Sequence, residues 1–270
     1  MNFISIDSVF FEYDNGYEAL KNINMEFNLG EKVAIIGQNG AGKTTLLKLI
    51  NGLNKPSKGN IIINKVNIKD KTTAEVSKDV SYVFQNPDDQ IFNNDVYSEI
   101  AFGPKKNGVK GNSLKKIVYE AAELCGLTDD LKKNPYDLPY ATRKFVSIAS
   151  VLVMQSNVFL LDEPTAGQDK IGIEKLQKII DYLIKKNKIV ITITHDMEFV
   201  VNNFDRIIVM ANGQKIIDSN KKEIFWDEEI LNVARLKQPY ISSLAKDLGV
   251  PGQPITIKEF IKQKSSDLYA

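Results

Sequence analysis

The sequence predicts an α/β fold built on a mostly parallel sheet, and three observations predict it. Short β-branched, apolar runs alternate with stretches whose apolar residues recur at helical spacing, the pattern of strand–helix–strand units. The middle of the chain, about residues 92–155, is helix-rich and has no convincing strand. The ends differ from both. Residues 3–27 read as an N-terminal antiparallel β region, and the chain from about residue 221 reads as short amphipathic helices broken by Pro239, Pro251 and Pro254. The expected organisation is a core over residues 1–220, a helical subdomain inserted at about 92–155, and a C-terminal helical extension over 221–270.

The elements follow in order. Residues 3–11 alternate and lead to the turn at Asp14-Asn15-Gly16, with Tyr13 just before it; taken alone, Tyr13 reads as a half-buried sheet aromatic. Residues 19–27 give a second strand, and Asn28-Leu29-Gly30-Glu31 turns into the apolar run Val33-Ala34-Ile35-Ile36. Next comes Gly37-Gln38-Asn39-Gly40-Ala41-Gly42-Lys43-Thr44-Thr45, which fits G-x-x-x-x-G-K-[ST], a phosphate-binding loop. Its glycines let backbone N–H groups turn inward around a phosphate, and the following helix adds unpaired N–H groups and its positive dipole end. Lys43 can bridge the outer phosphates, and the Thr44 hydroxyl can join a Mg2+ shell.

Gly52 ends that helix, and Pro56-Ser57-Lys58-Gly59 turns into a strand over 60–64. Residues 80–84 form another core strand, terminated by Gln85 and followed by a polar stretch, Asn86-Pro87-Asp88-Asp89-Gln90. Ser113 reads as the N-cap of a helix, and a further helix spans about 141–154. Strand signals return at 157–161, 188–194, 206–210 and 214–217. Between the first two lies an amphipathic helix with Ile173, Leu176, Ile179, Ile180 and Leu183 inward.

In a parallel sheet, right-handed crossovers gather the C-terminal strand ends at one edge. The glycine-rich loop, Gln85, Asp162-Glu163 and His195 all fall at such ends, around one phosphate. Phosphoryl transfer needs a metal that neutralises the phosphates and a group that orients the nucleophile. Asp162 suits the first task beside Thr44, and Glu163 the second. Gln85 can sense Mg2+ or the lytic water, and His195, the single histidine, can meet the γ-phosphate.

Composition excludes several classes. The net charge is +1, so nothing advertises nucleic acid as a partner. One cysteine, Cys125, permits no internal disulfide and no cysteine metal cage, and reads as a small apolar filler on a helix. The N-terminus lacks a signal-peptide pattern, and no apolar run approaches the roughly 20 residues of a membrane span. Short lysine pairs, Lys185-Lys186 and Lys221-Lys222, mark solvated faces.

As an ordered set, Tyr13, Gly37 to Thr44, Gln85, Leu160-Leu161-Asp162-Glu163-Pro164-Thr165, Asp169 and Thr194-His195-Asp196 resemble the A-loop, Walker A, Q-loop, Walker B with catalytic glutamate, D-loop and switch histidine of ABC transporter ATPases. The resemblance spans almost all of the first 220 residues. It implies a P-loop ABC ATPase core, ATP with Mg2+, and adenine stacking on Tyr13. Residues 84–92 with Ala101-Phe102-Gly103-Pro104, and the tail around Arg235-Leu236-Lys237-Gln238-Pro239, resemble more narrowly the ATPases of energy-coupling factor (ECF) vitamin importers and cobalt/nickel importers. That resemblance implies a place on the cytoplasmic face of the membrane, held peripherally by a transmembrane coupling subunit and, through it, a substrate-binding subunit. It also implies that Asn86, Pro87, Gln90 and Phe92 contact the membrane subunit.

One motif departs. Where the family carries LSGGQ, this chain reads Leu138-Pro139-Tyr140-Ala141-Thr142. Proline removes a backbone donor, the serine hydroxyl is gone, and two Cβ atoms stand where the glycines would let a phosphate approach. Arg143 and Lys144 keep positive charge nearby as partial compensation. The chain is therefore expected to build the hydrolytic half of one site and to give a poor signature to a second, related ATPase in a heterodimer. Competing readings are a soluble ABC ATPase of DNA repair or translation, and a non-hydrolysing nucleotide-dependent regulator. The missing coiled-coil insertion and basic excess oppose the first, and the intact Glu163 and His195 oppose the second.

Overall fold

The computed structural model describes residues 2–268. Strand β1 (Ile4–Glu12) pairs antiparallel with β2 (Glu18–Phe27), and the chain then enters β3 (Lys32–Ile36) and helix α1 (Lys43–Ile50). β4 (Lys58–Ile63) returns antiparallel to β1. A tight two-residue turn follows, with Asn64 and Lys65 both at positive φ, 50° and 68°. It adds the short β5 (Val66–Asn67), which the sequence pattern did not reveal because Asn-Lys lacks the glycine such turns favour. After α2 (Thr73–Val76), closed by a Thr72/Glu75 capping box, comes β6 (Val80–Val83).

The inserted middle is helical, as its periodicity predicts: α3 (Val96–Lys106), α4 (Gly111–Cys125) and α5 (Tyr140–Leu152). Ser113 does not cap α4. The helix starts three residues earlier, after Lys110, and has no side-chain cap. Cys125 is fully buried at its C-terminal end, where burial pushes the thiol up to about 12. The filler role predicted for Cys125 is thus the observed one.

β7 (Val158–Asp162), α6 (Lys170–Lys185), β8 (Ile189–Ile193), α7 (Met197–Asn203), β9 (Arg206–Ala211) and β10 (Gln214–Asn220) complete the core. The tail folds as α8 (Lys221–Phe225), α9 (Glu228–Ala234), α10 (Tyr240–Asp247) and α11 (Ile257–Leu268).

Two sheets result: a four-stranded one, β2-β1-β4-β5, and a six-stranded one, β10-β9-β3-β8-β7-β6. The larger sheet is parallel except for β10. Alternation along its strands sorts two apolar layers. Val33, Ile35, Leu160 and Ile191 face α1 and the four-stranded sheet. Ala34, Ile36, Phe159, Leu161 and Val190 face the helices. Arg206 clasps the sheets together. Its guanidinium takes both oxygens of Asp218 at 2.7 and 2.9 Å, Glu31 at 2.8 Å and the Glu26 carbonyl at 2.9 Å.

The tail is more than an appendage. Ile224, Phe225, Ala234 and Ile255 are fully buried within the helix-side core, and the Tyr240 N–H donates to the Glu198 carboxylate of α7 at 2.9 Å.

Candidate functional site

Strands β3, β6, β7 and β8 run parallel, so their C-terminal ends open on one edge. There Asn39, Gly40, Ala41, Gly42, Lys43, Thr44, Thr45, Gln85, Glu163 and His195 line a pocket of about 160 Å3. Residues that the sequence separates by more than a hundred positions meet as the strand-end argument predicts. A larger cleft of about 830 Å3 lies between α4, α5 and α6 and holds none of them.

The glycine-rich loop shows why two of its glycines are needed. Gly37 has φ 151°, and a Cβ there would lie 2.0 Å from the Met210 carbonyl oxygen. Gly42 has φ 94°, and its Cβ would meet Leu20 at 2.6 Å and the Ala19 carbonyl at 2.7 Å. Lys43 curls back over the loop and donates to the carbonyls of Gly37 (2.7 Å) and Gln38 (2.9 Å). Burial holds its ammonium below the usual lysine range, although Glu163 and Asp162 pull the other way.

At the end of β7, Asp162 is buried. One carboxylate oxygen accepts from Thr44 Oγ1 at 3.3 Å, and the other from the Tyr82 hydroxyl at 2.8 Å. Burial, then Asp162, drives the Tyr82 phenol well above its usual range, so it remains a donor. Tyr82 escaped the sequence reading. Its only signal is its place on the strand that ends at Gln85. An oxygen pair made of one carboxylate and one hydroxyl fits a hard cation that takes its remaining ligands from phosphate and water. Among the described residues no cluster of three or more His, Cys, Asp or Glu offers an all-protein cage instead.

Glu163 leaves the strand at φ 49°, a left-handed conformation rare for a non-glycine residue. The kink separates its two ends. Its carboxylate accepts from the His195 backbone N–H at 3.2 Å and lies 3.2 Å from His195 Nε2. Its carbonyl accepts from Lys144 Nζ and from the Ala166 N–H at 3.3 Å. Burial raises the carboxyl to about 7; Asp162 adds to the rise, while the His195 N–H, Lys43 and Lys144 oppose it. Burial, then Lys43, lowers the His195 imidazole below its ordinary value, so at neutral pH the ring is uncharged and meets Glu163 as a hydrogen-bond partner.

Tyr13 is 37% exposed, packs edge-on against Phe11, and its hydroxyl bonds Thr45 at 2.9 Å. A second aromatic, Tyr17, lies nearly parallel to it at 6.5 Å. Asp169 caps α6, accepting from the Gly172 N–H at 2.8 Å.

Within the segment 138–144 the two ends are buried, while Pro139 and Tyr140 are exposed. Leu138 is buried, and Pro139 precedes α5 without a side-chain cap. The Tyr140 ring covers Gly167, and its hydroxyl reaches the Gln85 carbonyl at 3.5 Å. The Ala141 carbonyl accepts from Gln168 at 3.0 Å. Arg143 pairs with Asp88 at 3.1 Å and lies over the rings of Tyr136 and Tyr140. Lys144 is fully buried. Both cations are held by this chain's own groups, Arg143 by Asp88 and Lys144 by the Glu163 carbonyl.

Near the loop after β6, Pro87 is buried, and the Asn86 side chain caps the Asp88 N–H. The Gln90 amide bonds the Phe84 N–H, the Ser147 carbonyl and the Ser150 hydroxyl. Phe92, 61% exposed and edge-on to Phe102, presents the large apolar surface there.

Comparison with known proteins agrees with this geometry. The family model described as ABC transporter matches residues 20–166. A putative ABC transporter ATP-binding protein of Pyrococcus horikoshii is 38% identical over 247 residues, 92% of this chain and 94% of the relative. The energy-coupling factor transporter ATP-binding protein EcfA of Methanocaldococcus jannaschii is 39% identical over 250 residues, 92% of this chain and 90% of the relative. The solved structure of cbiO1 from Clostridium perfringens, described as part of the ABC transporter complex cbiONQ, superposes with a TM-score of 0.77. It is 33% identical and covers 91% of this chain and 99% of its own. The chain belongs to the ABC transporter family, among its ATP-binding, ATP-hydrolysing subunits. The resemblance in sequence and the fold class expected from it are both met.

Proposed function

We propose that this chain is the degenerate-signature ATPase of an ECF-type importer, energising uptake of a vitamin or transition metal ion through a membrane coupling subunit. The observation that carries this reading is the contrast across one molecule. The strand-end pocket gathers the glycine-rich loop, Gln85, Glu163 and His195, with Asp162 bonded to Thr44, while Tyr140, Ala141 and Lys144 bond groups of this same chain at Gln85, Gln168 and Glu163. A second ATPase with an intact signature would complete the pocket, so a heterodimer follows. The likeness to EcfA and to cbiO1 supports the ECF type. Phe92 and Phe102, with Asn86 and Pro87 shaping the loop, suit docking on a membrane subunit at the cytoplasmic face. No helix among the described residues is long and apolar enough to cross a membrane itself.

Each residue then has a task. The N–H groups of residues 39–45 and Lys43 hold the outer phosphates, and Tyr13 stacks on adenine. Mg2+ supplies charge neutralisation at the phosphates; Thr44 and Asp162 would hold it, and Gln85 adjoins them. Glu163 orients a water in line with the γ-phosphorus. The water oxygen bonds phosphorus, the bond to the ADP oxygen breaks, and the water proton passes to Glu163 or a phosphate oxygen. His195 holds Glu163 and meets the γ-phosphate. Asp169, at the start of α6, lies on the segment facing the second ATPase.

The test is steady-state ATP hydrolysis by the chain alone and with a co-expressed LSGGQ-bearing ATPase, together with a pull-down from membranes. The reading expects weak turnover alone, strong turnover in the pair, and capture of a membrane subunit. Strong turnover by the chain alone contradicts the heterodimer.

A further inference from the structure

We propose that Lys144 is a positioning residue for the hydrolytic step, holding the backbone of Glu163 from the signature helix of the same chain. The inference rests on the reading of Glu163 as the residue that orients the attacking water.

The placement of Lys144 is unusual. It is the fifth residue of α5, and its side chain is among the largest in the molecule with no exposed surface. Lysine is almost never fully buried unless paired, because removing an ammonium from water is costly. Its bonding partner is the backbone carbonyl of Glu163, with the Tyr140 ring 6.0 Å away. It does not line the phosphate pocket. An ammonium placed there without touching nucleotide acts through what it holds.

What it holds is a strained junction. Glu163 sits at φ 49°, a conformation that persists only where its surroundings over-determine it. Two clamps do so. His195 takes the carboxylate, by its N–H and by its ring. On the opposite side Lys144, aided by the Ala166 N–H, takes the carbonyl. Release of the carbonyl would let the peptide relax toward extended backbone and swing the carboxylate off its line toward the pocket. The Ala166 bond, at 3.3 Å, is too long to hold it alone. Since the clamp comes from α5, the helix that carries Pro139 to Thr142 also sets the geometry of this chain's own catalytic turn.

The test compares Lys144→Met, which keeps length and apolar stem but has no donor, with Lys144→Gln, which keeps a donor. Both are made in the ATPase pair, with and without Glu163→Gln. Turnover is read with ATP, affinity with a fluorescent ATP analogue at the P-loop, and folding by thermal melting. Lys144→Met is expected to lower kcat by ~10–100-fold, the range a small misplacement of a reacting group produces. The analogue Kd is expected to stay within about twofold, because Lys144 touches no nucleotide, and Lys144→Gln to recover most of the lost kcat. On the Glu163→Gln background, Lys144→Met should cost nothing further, since both act through one group. Unchanged kcat in Lys144→Met, a full additive loss on the Glu163→Gln background, or a loss carried by Kd overturns the proposal. If Lys144→Met does not fold, Lys144→Gln is compared with Lys144→Ser, whose polar group is too short to reach the carbonyl: kcat kept in the first and lost in the second at unchanged Kd supports the clamp, and equal kcat in both, or a loss carried by Kd, overturns it. Glu163→Gln read alone separates the two claims. Wild-type turnover there removes the role of Glu163 itself, and the clamp with it; collapsed turnover beside a silent Lys144→Met removes the clamp only.

Discussion

Glu163 carries a carboxyl raised from 4.5 to about 7, chiefly by burial, and this has a consequence for stability. Below pH 4.5 the group is protonated in both folded and unfolded chains. Between 4.5 and about 7 the unfolded chain releases the proton while the folded one retains it, so stability falls as pH rises and stays lower above 7. Glu163→Gln should therefore raise the Tm of the nucleotide-free, Mg2+-free protein more at pH 8 than at pH 5. An equal gain at both values contradicts the assigned cause. Tyr82 gives a second prediction at this scale. Its hydroxyl occupies one oxygen of Asp162 and leaves the other toward Thr44. Tyr82→Phe should raise the Mg2+ concentration for half-maximal turnover by ~10-fold, the usual cost of removing a group that orients a ligand.

At the scale of elements, the glycine-rich loop and the helix caps decide the outcome. Gly37→Ala places a methyl 2.0 Å from the Met210 carbonyl of β9, backbone that cannot yield, and is expected to abolish soluble, ATP-binding protein. Asp169→Ala removes the cap of α6 and should cost about 1 kcal/mol in urea unfolding. Much of this level was legible in the sequence because period and punctuation agree there. The strand ends at Ile36, Val83, Asp162 and Ile193 fall within a residue or two of their predicted places, since each is an apolar run stopped by a polar or glycine residue. Ser113 misled because a cap depends on backbone geometry, and the extended residue before the helix is Lys110. The partners of Tyr82, Tyr140, Arg143 and Lys144 were hidden for a different reason. They are contacts across 19 to 80 positions, fixed by packing and not by local pattern.

Over the whole molecule, the tail is part of the core. A chain ending at residue 220 would uncover the apolar surface now closed by Ile224, Phe225, Ala234 and Ile255. It should lose a single cooperative unfolding transition, checked by calorimetry against the full chain. The same scale holds the proposed asymmetry: one edge of the sheet gathers the glycine-rich loop, Gln85, Glu163 and His195, while Tyr140 and Ala141 bond Gln85 and Gln168 of the same chain. The most direct test is ATP turnover by the reconstituted pair, with the catalytic glutamate changed to glutamine first in this chain, as Glu163→Gln, and then in the partner. The account predicts that Glu163→Gln abolishes most hydrolysis while the partner's substitution leaves most of it. Turnover that survives Glu163→Gln and collapses with the partner's substitution would contradict it.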